Sequence, residues 1–153
     1  MIEEKDTIMM RAALDEADKA AKLGEVPVGA VVVMDDKIVS AAFNTRETDK
    51  NALCHAEIKA IDSACKKLGG WRLHKCDIYV TLEPCPMCAG AIVNSRIKRV
   101  VYGAPDEKAG AFGTKLDLNS FALNHKPKIE GGVLVEECAE RLSRFFSTLR
   151  EKK

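Results

Sequence analysis

Long apolar runs are absent from the sequence. No stretch approaches the ~20 consecutive apolar residues that a membrane-spanning helix needs. The first residues, MIEEKDTIMMRAALDEA, are acidic and contain no apolar segment of the length found in secretory signal peptides. These two absences predict a cytoplasmic protein with no membrane partner.

An excess of charge of one sign is also absent. The 24 Lys and Arg residues stand against 23 Asp and Glu residues, which gives a formal net charge of +1. A nucleic acid partner would therefore have to be bound by a local patch, because the chain has no strongly basic coat. Internal repeats and Ser/Gly/Pro-rich linkers are missing as well, so the 153 residues are expected to form one globular domain, residues 1–153.

Strand and helix patterns alternate along the chain. Apolar residues at helical spacing predict helices over residues 7–23 and 55–68 and an amphipathic helix over 136–150, while VPVGAVVVMDDKIVSAAFN is typical of a hairpin. DIYVTLEP is predicted to be a strand that leads into a helix beginning at PMCAG, and RVVYGA and GGVLV are predicted to be further strands. This alternation predicts an α/β/α sandwich around a mostly parallel or mixed sheet.

Cys85 and Cys88, in TLEPCPMC, fall where a strand ends and a helix begins. Ligand sites in such sheets lie at the carboxyl ends of strands, and helix N-termini favour thiolates over thiols. The pair could bind a catalytic metal, form a redox-active disulfide, or pack as two inert thiols. A structural zinc ribbon is disfavoured, because the sequence has no second Cys-x-x-Cys and no closely spaced His pair.

The segment CHAEIKAID, at 54–62, favours the catalytic metal site. His55 opens the second long helix, and Glu57 follows two residues later. One His and two Cys ligands leave the fourth position of a zinc ion open for water, whose pKa the ion lowers to about 7. Glu57 could then act as the general acid and base. His-x-Glu followed by Pro-Cys-x-x-Cys is the signature of the zinc nucleobase deaminases.

The chain resembles the bacterial tRNA-specific adenosine deaminases, which belong to the cytidine deaminase-like superfamily, along nearly its whole length. The segments that carry the resemblance are GEVPVGAVVV at 24–33, HAEI at 55–58, WRL at 71–73, YVTLEPCPMCAGAIVNSRIKRVVYGAPDEKAGA at 79–111, LNHKP at 123–127, and GGVLVEEC and RFF near the C-terminus. The resemblance implies a central five-stranded mixed sheet, a homodimer, and one Zn²⁺ per chain. The implied reaction is hydrolytic deamination of adenosine to inosine at the wobble position of a tRNA anticodon stem-loop.

The same resemblance implies roles for individual residues. His55, Cys85 and Cys88 would bind zinc, and Glu57 would shuttle protons. Seven further residues would contact the substrate: Val28, Asn44, Ala56, Glu83, Asp106, Asn124 and Phe145. Ala56 and Glu83 would do so through their backbone, and Phe145 by stacking on a flanking base. Several of these also have an ordinary structural interpretation, since Asn suits a turn and Asp a loop cap, and Phe145 lies on the predicted amphipathic helix.

The stretch before His55 departs from the pattern of the resembled family. KNALC, at 50–54, stands where those enzymes have Asp-Pro-Thr-Ala, so a looser loop is expected, with the thiol of Cys54 close to the zinc. A related enzyme that deaminates a free purine or nucleoside, such as guanine, therefore stays open as an alternative. So does a noncatalytic zinc-stabilised RNA-binding module, although such a module has no use for Glu57. The LNH segment and the basic final helix favour the tRNA substrate.

Overall fold

A five-stranded sheet runs through the middle of residues 2–152, the part of the chain that the computed structural model describes. The strand order is β2-β1-β3-β4-β5, with β1 antiparallel to both of its neighbours and the β3-β4 and β4-β5 pairs parallel. The strands are β1 (Gly29–Met34), β2 (Lys37–Phe43), β3 (Cys76–Leu82), β4 (Arg99–Ala104) and β5 (Lys128–Gly131). The prediction of a mixed five-stranded sheet is confirmed.

Helices cover both faces of the sheet. They are α1 (Glu4–Lys22), α2 (Ala56–Leu68), α3 (Pro86–Asn94) and α4 (Val135–Glu151), and a short 3₁₀ helix spans Leu118–Ser120. Val32 and Ile78 pack with α2 and α3 in one apolar cluster, whereas the adjacent Val31 and Tyr79 pack with α1 and α4 in another. The near-continuous apolar run of β1 follows from this arrangement, because both of its faces are buried. The three-layer α/β/α prediction is confirmed.

The last strand differs from the prediction. GGVLV was expected to be a strand, but β5 is KIEG and ends at Gly131. A Cβ at Gly131 would collide with the ring of Tyr102, and Gly132 has a positive φ of 91°, which turns the chain away from the sheet. Val133 is then buried beneath the start of α4. The prediction from apolar residues missed β5, because this strand alternates charged residues with small or apolar ones.

A buried ion pair joins α1 to the sheet. The Asp6 carboxylate is fully buried and receives two hydrogen bonds of 2.8 Å from the Arg99 guanidinium and one of 2.6 Å from the Tyr79 hydroxyl. It also accepts a hydrogen bond from the backbone N–H of Glu3, which caps α1 and lets the helix begin three residues before the predicted start. These contacts, the Arg99 bonds foremost, hold the pKa of Asp6 well below its usual range. Among residues 2–152 no helix is long and apolar enough to cross a membrane.

Candidate active site

A cleft of about 180 Å³ opens at the edge of the sheet where β3 and β4 end. Because β1 is antiparallel to both β2 and β3, the residue before β1 and the residue after β2 lie at this same edge. The N-termini of α2 and α3 meet there too. The cleft is lined by Val26, Val28, Asn44, Arg46, His55, Ala56, Glu57, Leu82, Glu83, Cys85, Asp106 and Ala109.

Three side chains that could hold a metal ion converge at the floor of this cleft. His55 occupies the N-cap position of α2, Cys85 occupies the N-cap position of α3, and Cys88 lies in the first turn of α3. The His55 Nδ1 atom lies 3.6 Å from the Sγ atom of Cys85 and 3.6 Å from that of Cys88, and the three donor atoms lie within 4.8 Å of one another. Zn–N bonds near 2.0 Å and Zn–S bonds near 2.3 Å in a tetrahedral arrangement would separate N and S by roughly 3.5 Å. The donor set and its spacing therefore fit a zinc ion.

The two thiols are electrostatically coupled. The hydrogen bond from Cys88, and further contacts with His55, lower the pKa of Cys85 to about 4. The pKa of Cys88 is raised, because its proton is held in that hydrogen bond and the side chain is buried. The two pKa shifts favour a state in which Cys85 is a thiolate and Cys88 keeps its proton, with both sulfur atoms 3.6 Å from the His55 Nδ1 atom. A divalent cation bound at this point would take the place of that proton.

Glu57 is the buried carboxyl group of the cleft. It lies in the first turn of α2, two residues after His55, and is only 4% exposed. Burial, which disfavours the charged form, raises the pKa of Glu57 to about 7. A carboxyl group with a pKa near neutrality can both accept and donate a proton, as general acid–base catalysis requires.

One wall of the cleft is the loop over residues 44–54. Asn44 donates a hydrogen bond of 3.2 Å to the Val26 carbonyl, and its Oδ1 atom accepts one of 3.2 Å from the Arg46 N–H. The carboxylate of Glu25, 1% exposed, accepts hydrogen bonds from the backbone N–H groups of Glu47 and Thr48. The Thr45 N–H donates to the Cys54 carbonyl at 3.0 Å and closes the loop. The loop is therefore fixed by hydrogen bonds, in a sequence that lacks the expected proline.

The opposite wall is the loop over residues 105–114, which is built on Glu83. The Glu83 side chain is 2% exposed, and its carboxylate accepts hydrogen bonds from the N–H groups of Asp106 (3.1 Å), Phe112 (3.0 Å) and Thr114 (3.2 Å) and from the Thr114 hydroxyl. Gly110 passes so close that a Cβ would lie 2.5 Å from this carboxylate. The side chain of Glu83 thus organises a loop, and the residue also lines the cleft.

The structure brings together most, but not all, of the residues proposed from the sequence. Val28, Asn44, Ala56, Glu83 and Asp106 line the cleft with the metal-binding cluster and Glu57. Two lie elsewhere: Asn124 borders a separate hollow beside α3, and Phe145 lies on α4 with its ring edge-to-face against Phe146 at 5.3 Å.

Sequence reasoning missed several residues at the cleft. Val26, Leu82 and Ala109 line it, as does Arg46, and Glu25 is buried behind it. The apolar ones carry no chemical signal in the sequence. The signal available for Arg46 was its position two residues after Asn44, immediately beyond the end of β2.

Comparisons with known proteins agree with this geometry. Residues 4–150 match the family of MafB19-like deaminases. The tRNA-specific adenosine deaminase of Bacillus subtilis is 51% identical over 150 residues, which cover 97% of this chain and 93% of that protein. A solved structure from a study of A-to-I editing by tRNA:A34 deaminases superposes with a TM-score of 0.87 at 42% identity, covering 89% of this chain and 99% of that one. A guanine deaminase from Bacillus subtilis superposes less closely, with a TM-score of 0.62 at 30% identity and coverage of 81% and 88%.

Proposed function

The chain belongs to the tRNA-specific adenosine deaminases and matches the family of MafB19-like deaminases over residues 4–150, and we propose that its single domain, residues 1–153, converts adenosine to inosine at the wobble position of a tRNA anticodon, with one Zn²⁺ held by His55, Cys85 and Cys88. The enzyme is a hydrolytic deaminase. The observation that carries the proposal is the convergence of an imidazole, two coupled thiols and a buried carboxyl group on one cleft. A tRNA substrate implies that the enzyme acts in the cytoplasm.

The reaction adds water to adenine and releases ammonia. When bound, zinc would supply Lewis-acid activation of water at neutral pH. Glu57 takes up the proton that water loses as its oxygen adds to C6, and places that proton on N1 of the base. It then takes the second proton from the hydroxyl group now on C6 and delivers it to the amino group, which leaves as ammonia while the C6 carbonyl of inosine forms. The raised pKa of Glu57 supports this role, because both of its protonation states are accessible near neutral pH.

The walls of the cleft provide the means to position a nucleoside. Val28 offers an apolar surface for the face of the base. Ala56 and Glu83 also line the cleft, where their backbone groups would meet the polar edge of the base. Asn44 lies at the cleft with its amide only partly engaged by backbone groups, so it can add a substrate contact without losing either hydrogen bond. Asp106, at the mouth, would meet the sugar-phosphate backbone. Burial of the base between these walls would exclude bulk water from the reacting atoms.

Two of the proposed contacts lie outside the cleft. Asn124 stands in a segment that exposes Leu116, Phe121 and Leu123, and such a surface supports a homodimer in which this segment meets the partner chain. Phe145 is part of an aromatic pair on α4, which also carries Arg144 and Arg150 on its surface. An aromatic ring amid arginines suits contact with an unpaired base of an RNA loop.

The tRNA substrate is favoured over a free purine by the comparisons. The tRNA:A34 deaminase structure superposes with a higher TM-score, and at higher identity, than the guanine deaminase structure does. A noncatalytic RNA-binding module is disfavoured, because a structural metal site does not need a buried carboxyl group beside it.

The test is deamination of an anticodon stem-loop RNA that carries adenosine at the wobble position. The expected result is stoichiometric release of ammonia and appearance of inosine, with about one zinc per chain. Glu57→Gln should keep its zinc and lose turnover, whereas Asp62→Asn, a matched change of an exposed carboxylate on α2, should remain active. Deamination of free guanine or adenosine, with none of the stem-loop, would refute the tRNA assignment. Normal turnover by Glu57→Gln would refute the mechanism.

A further inference from the structure

Arg46 is the single Lys or Arg side chain among the described residues that line the cleft. The other lining residues with ionisable side chains are His55, Cys85 and three acids, and the remaining ones are apolar or, in the case of Asn44, neutral. An RNA substrate carries a negative charge at every phosphate. Because the whole protein has a net charge of only +1, its overall field gives little attraction, and local charges such as the one at the cleft have to supply it.

The backbone of Arg46 is fixed, while its side chain is available. The Arg46 N–H donates to Asn44 Oδ1 at 3.2 Å, and its carbonyl accepts a hydrogen bond of 3.0 Å from the Asn51 N–H. The side chain is 50% exposed, and its ion pair with Glu47 is long, at 3.5 Å. Glu47 is itself 75% exposed, so this is a surface pair of the kind that contributes little to stability. The guanidinium can therefore exchange Glu47 for another anion at little cost.

We propose that Arg46 binds a phosphate that flanks the target adenosine and so selects adenosine within RNA over the free base or nucleoside. The proposal rests on the function proposed above. A guanidinium presents its N–H donors in a planar fork that matches two phosphate oxygens. The hydrogen bond between Asn44 and the Arg46 backbone couples this contact to the proposed nucleoside-binding Asn, since the two residues are held in one turn. A free purine base has no phosphate and gains nothing from Arg46.

The experiment measures kcat and KM for the stem-loop RNA over a series of salt concentrations. Arg46→Gln is expected to raise KM about tenfold with little change in kcat, because a charge-assisted contact is lost while the reacting groups stay in place. The slope of log(1/KM) against log salt should become shallower by about 0.7, the value for one phosphate contact to a single strand. Arg46→Lys should keep the salt slope and recover only part of the affinity. Arg72→Gln is the matched control and should behave as wild type. Arg72 is exposed and lies in the loop before β3, at the opposite edge of the sheet from the cleft.

A neutral methylphosphonate linkage identifies the phosphate. One RNA carries this linkage on the 5′ side of the adenosine and a second RNA carries it on the 3′ side. The linkage that replaces the contacted phosphate should raise KM for the wild type but should not raise KM further for Arg46→Gln. Unchanged KM and salt slope in Arg46→Gln would overturn the proposal, and so would a fall in kcat and zinc content at constant KM, which would give Arg46 a structural role. If the wild type deaminates free purines but not the stem-loop, the proposed function fails first, and the phosphate contact falls with it.

Discussion

Replacement of Glu83 by Gln tests whether one buried carboxylate holds the loop over residues 105–114. Each carboxylate oxygen now accepts two hydrogen bonds, one from Thr114 and one from the backbone of Asp106 or Phe112. The amide of Gln must place its NH₂ group at one of these positions. The Thr114 hydroxyl can rotate to accept a hydrogen bond from NH₂, but a backbone N–H cannot, so at least one backbone donor, the part-buried N–H of Asp106 in the more favourable placement, is left without an acceptor.

The magnitude follows from these contacts. An unsatisfied buried donor costs about 1–3 kcal/mol, and the remaining hydrogen bonds lose the added strength of a charged acceptor, offset in part by the easier burial of a neutral side chain. Glu83→Gln should therefore lower the free energy of unfolding by about 2–4 kcal/mol. For a chain of this length that is a fall in Tm of about 5–15 °C. The variant should still fold, since small proteins are stable by about 5–15 kcal/mol.

Thermal and urea unfolding measure the effect, with zinc content determined on the same samples. Glu107→Gln is the matched control, because Glu107 is an exposed carboxylate in the same loop, and its Tm should stay close to that of the wild type. KM for the stem-loop RNA should rise in Glu83→Gln, since Asp106 and Ala109 border the cleft from this loop. If Glu83→Gln melts within about 1 °C of the wild type, the reasoning is refuted, because the Glu83 carboxylate then contributes little to the stability of the protein.

Two further predictions concern charge. Asp6→Asn should cost about 3 kcal/mol at pH 7, since it leaves Arg99 without its bidentate partner. The folded-state pKa of Asp6 lies below its unfolded value, so the difference in free energy of unfolding between wild type and variant should be constant above about pH 4 and disappear as the pH falls further. Urea unfolding at several pH values measures it, and a difference that does not change with pH would contradict the prediction. Zinc binding to the metal-free protein at pH 7 should release about one proton or more, because Cys88 still holds its proton when Cys85 has lost its own. Calorimetry in buffers of different ionisation enthalpy measures that release, and zinc binding without it would contradict the coupled-thiol description.

The fold and the clustering of His55, Cys85 and Cys88 could be predicted because both depend on short stretches of sequence. Cys85 and Cys88 lie within one helical turn, as do His55 and Glu57, so each pair is placed by local helix geometry. The single long-range step is that both helix N-termini meet at the edge of the sheet where β3 and β4 end, which follows from the α/β alternation. Where the prediction of β5 was wrong, the cause was also local, because a strand of alternating charge carries little apolar pattern.

The hydrogen bonds that shape the walls of the cleft could not be predicted, although several wall residues were named, because these bonds join residues far apart in the chain. Glu25 receives the N–H of Glu47, 22 residues later in the chain, and Glu83 receives that of Asp106, 23 residues later. In the sequence, both glutamates look like polar residues beside a strand, and nothing local shows that each is buried and satisfied by a distant loop. The reactive residues of this enzyme are therefore encoded in short motifs. The shape of the cleft is encoded in pairs of residues that are far apart in the chain and joined by hydrogen bonds. Changes at Glu25, Glu83 and Arg46 should accordingly alter KM for the stem-loop RNA before they alter zinc content, when both are measured on the same samples.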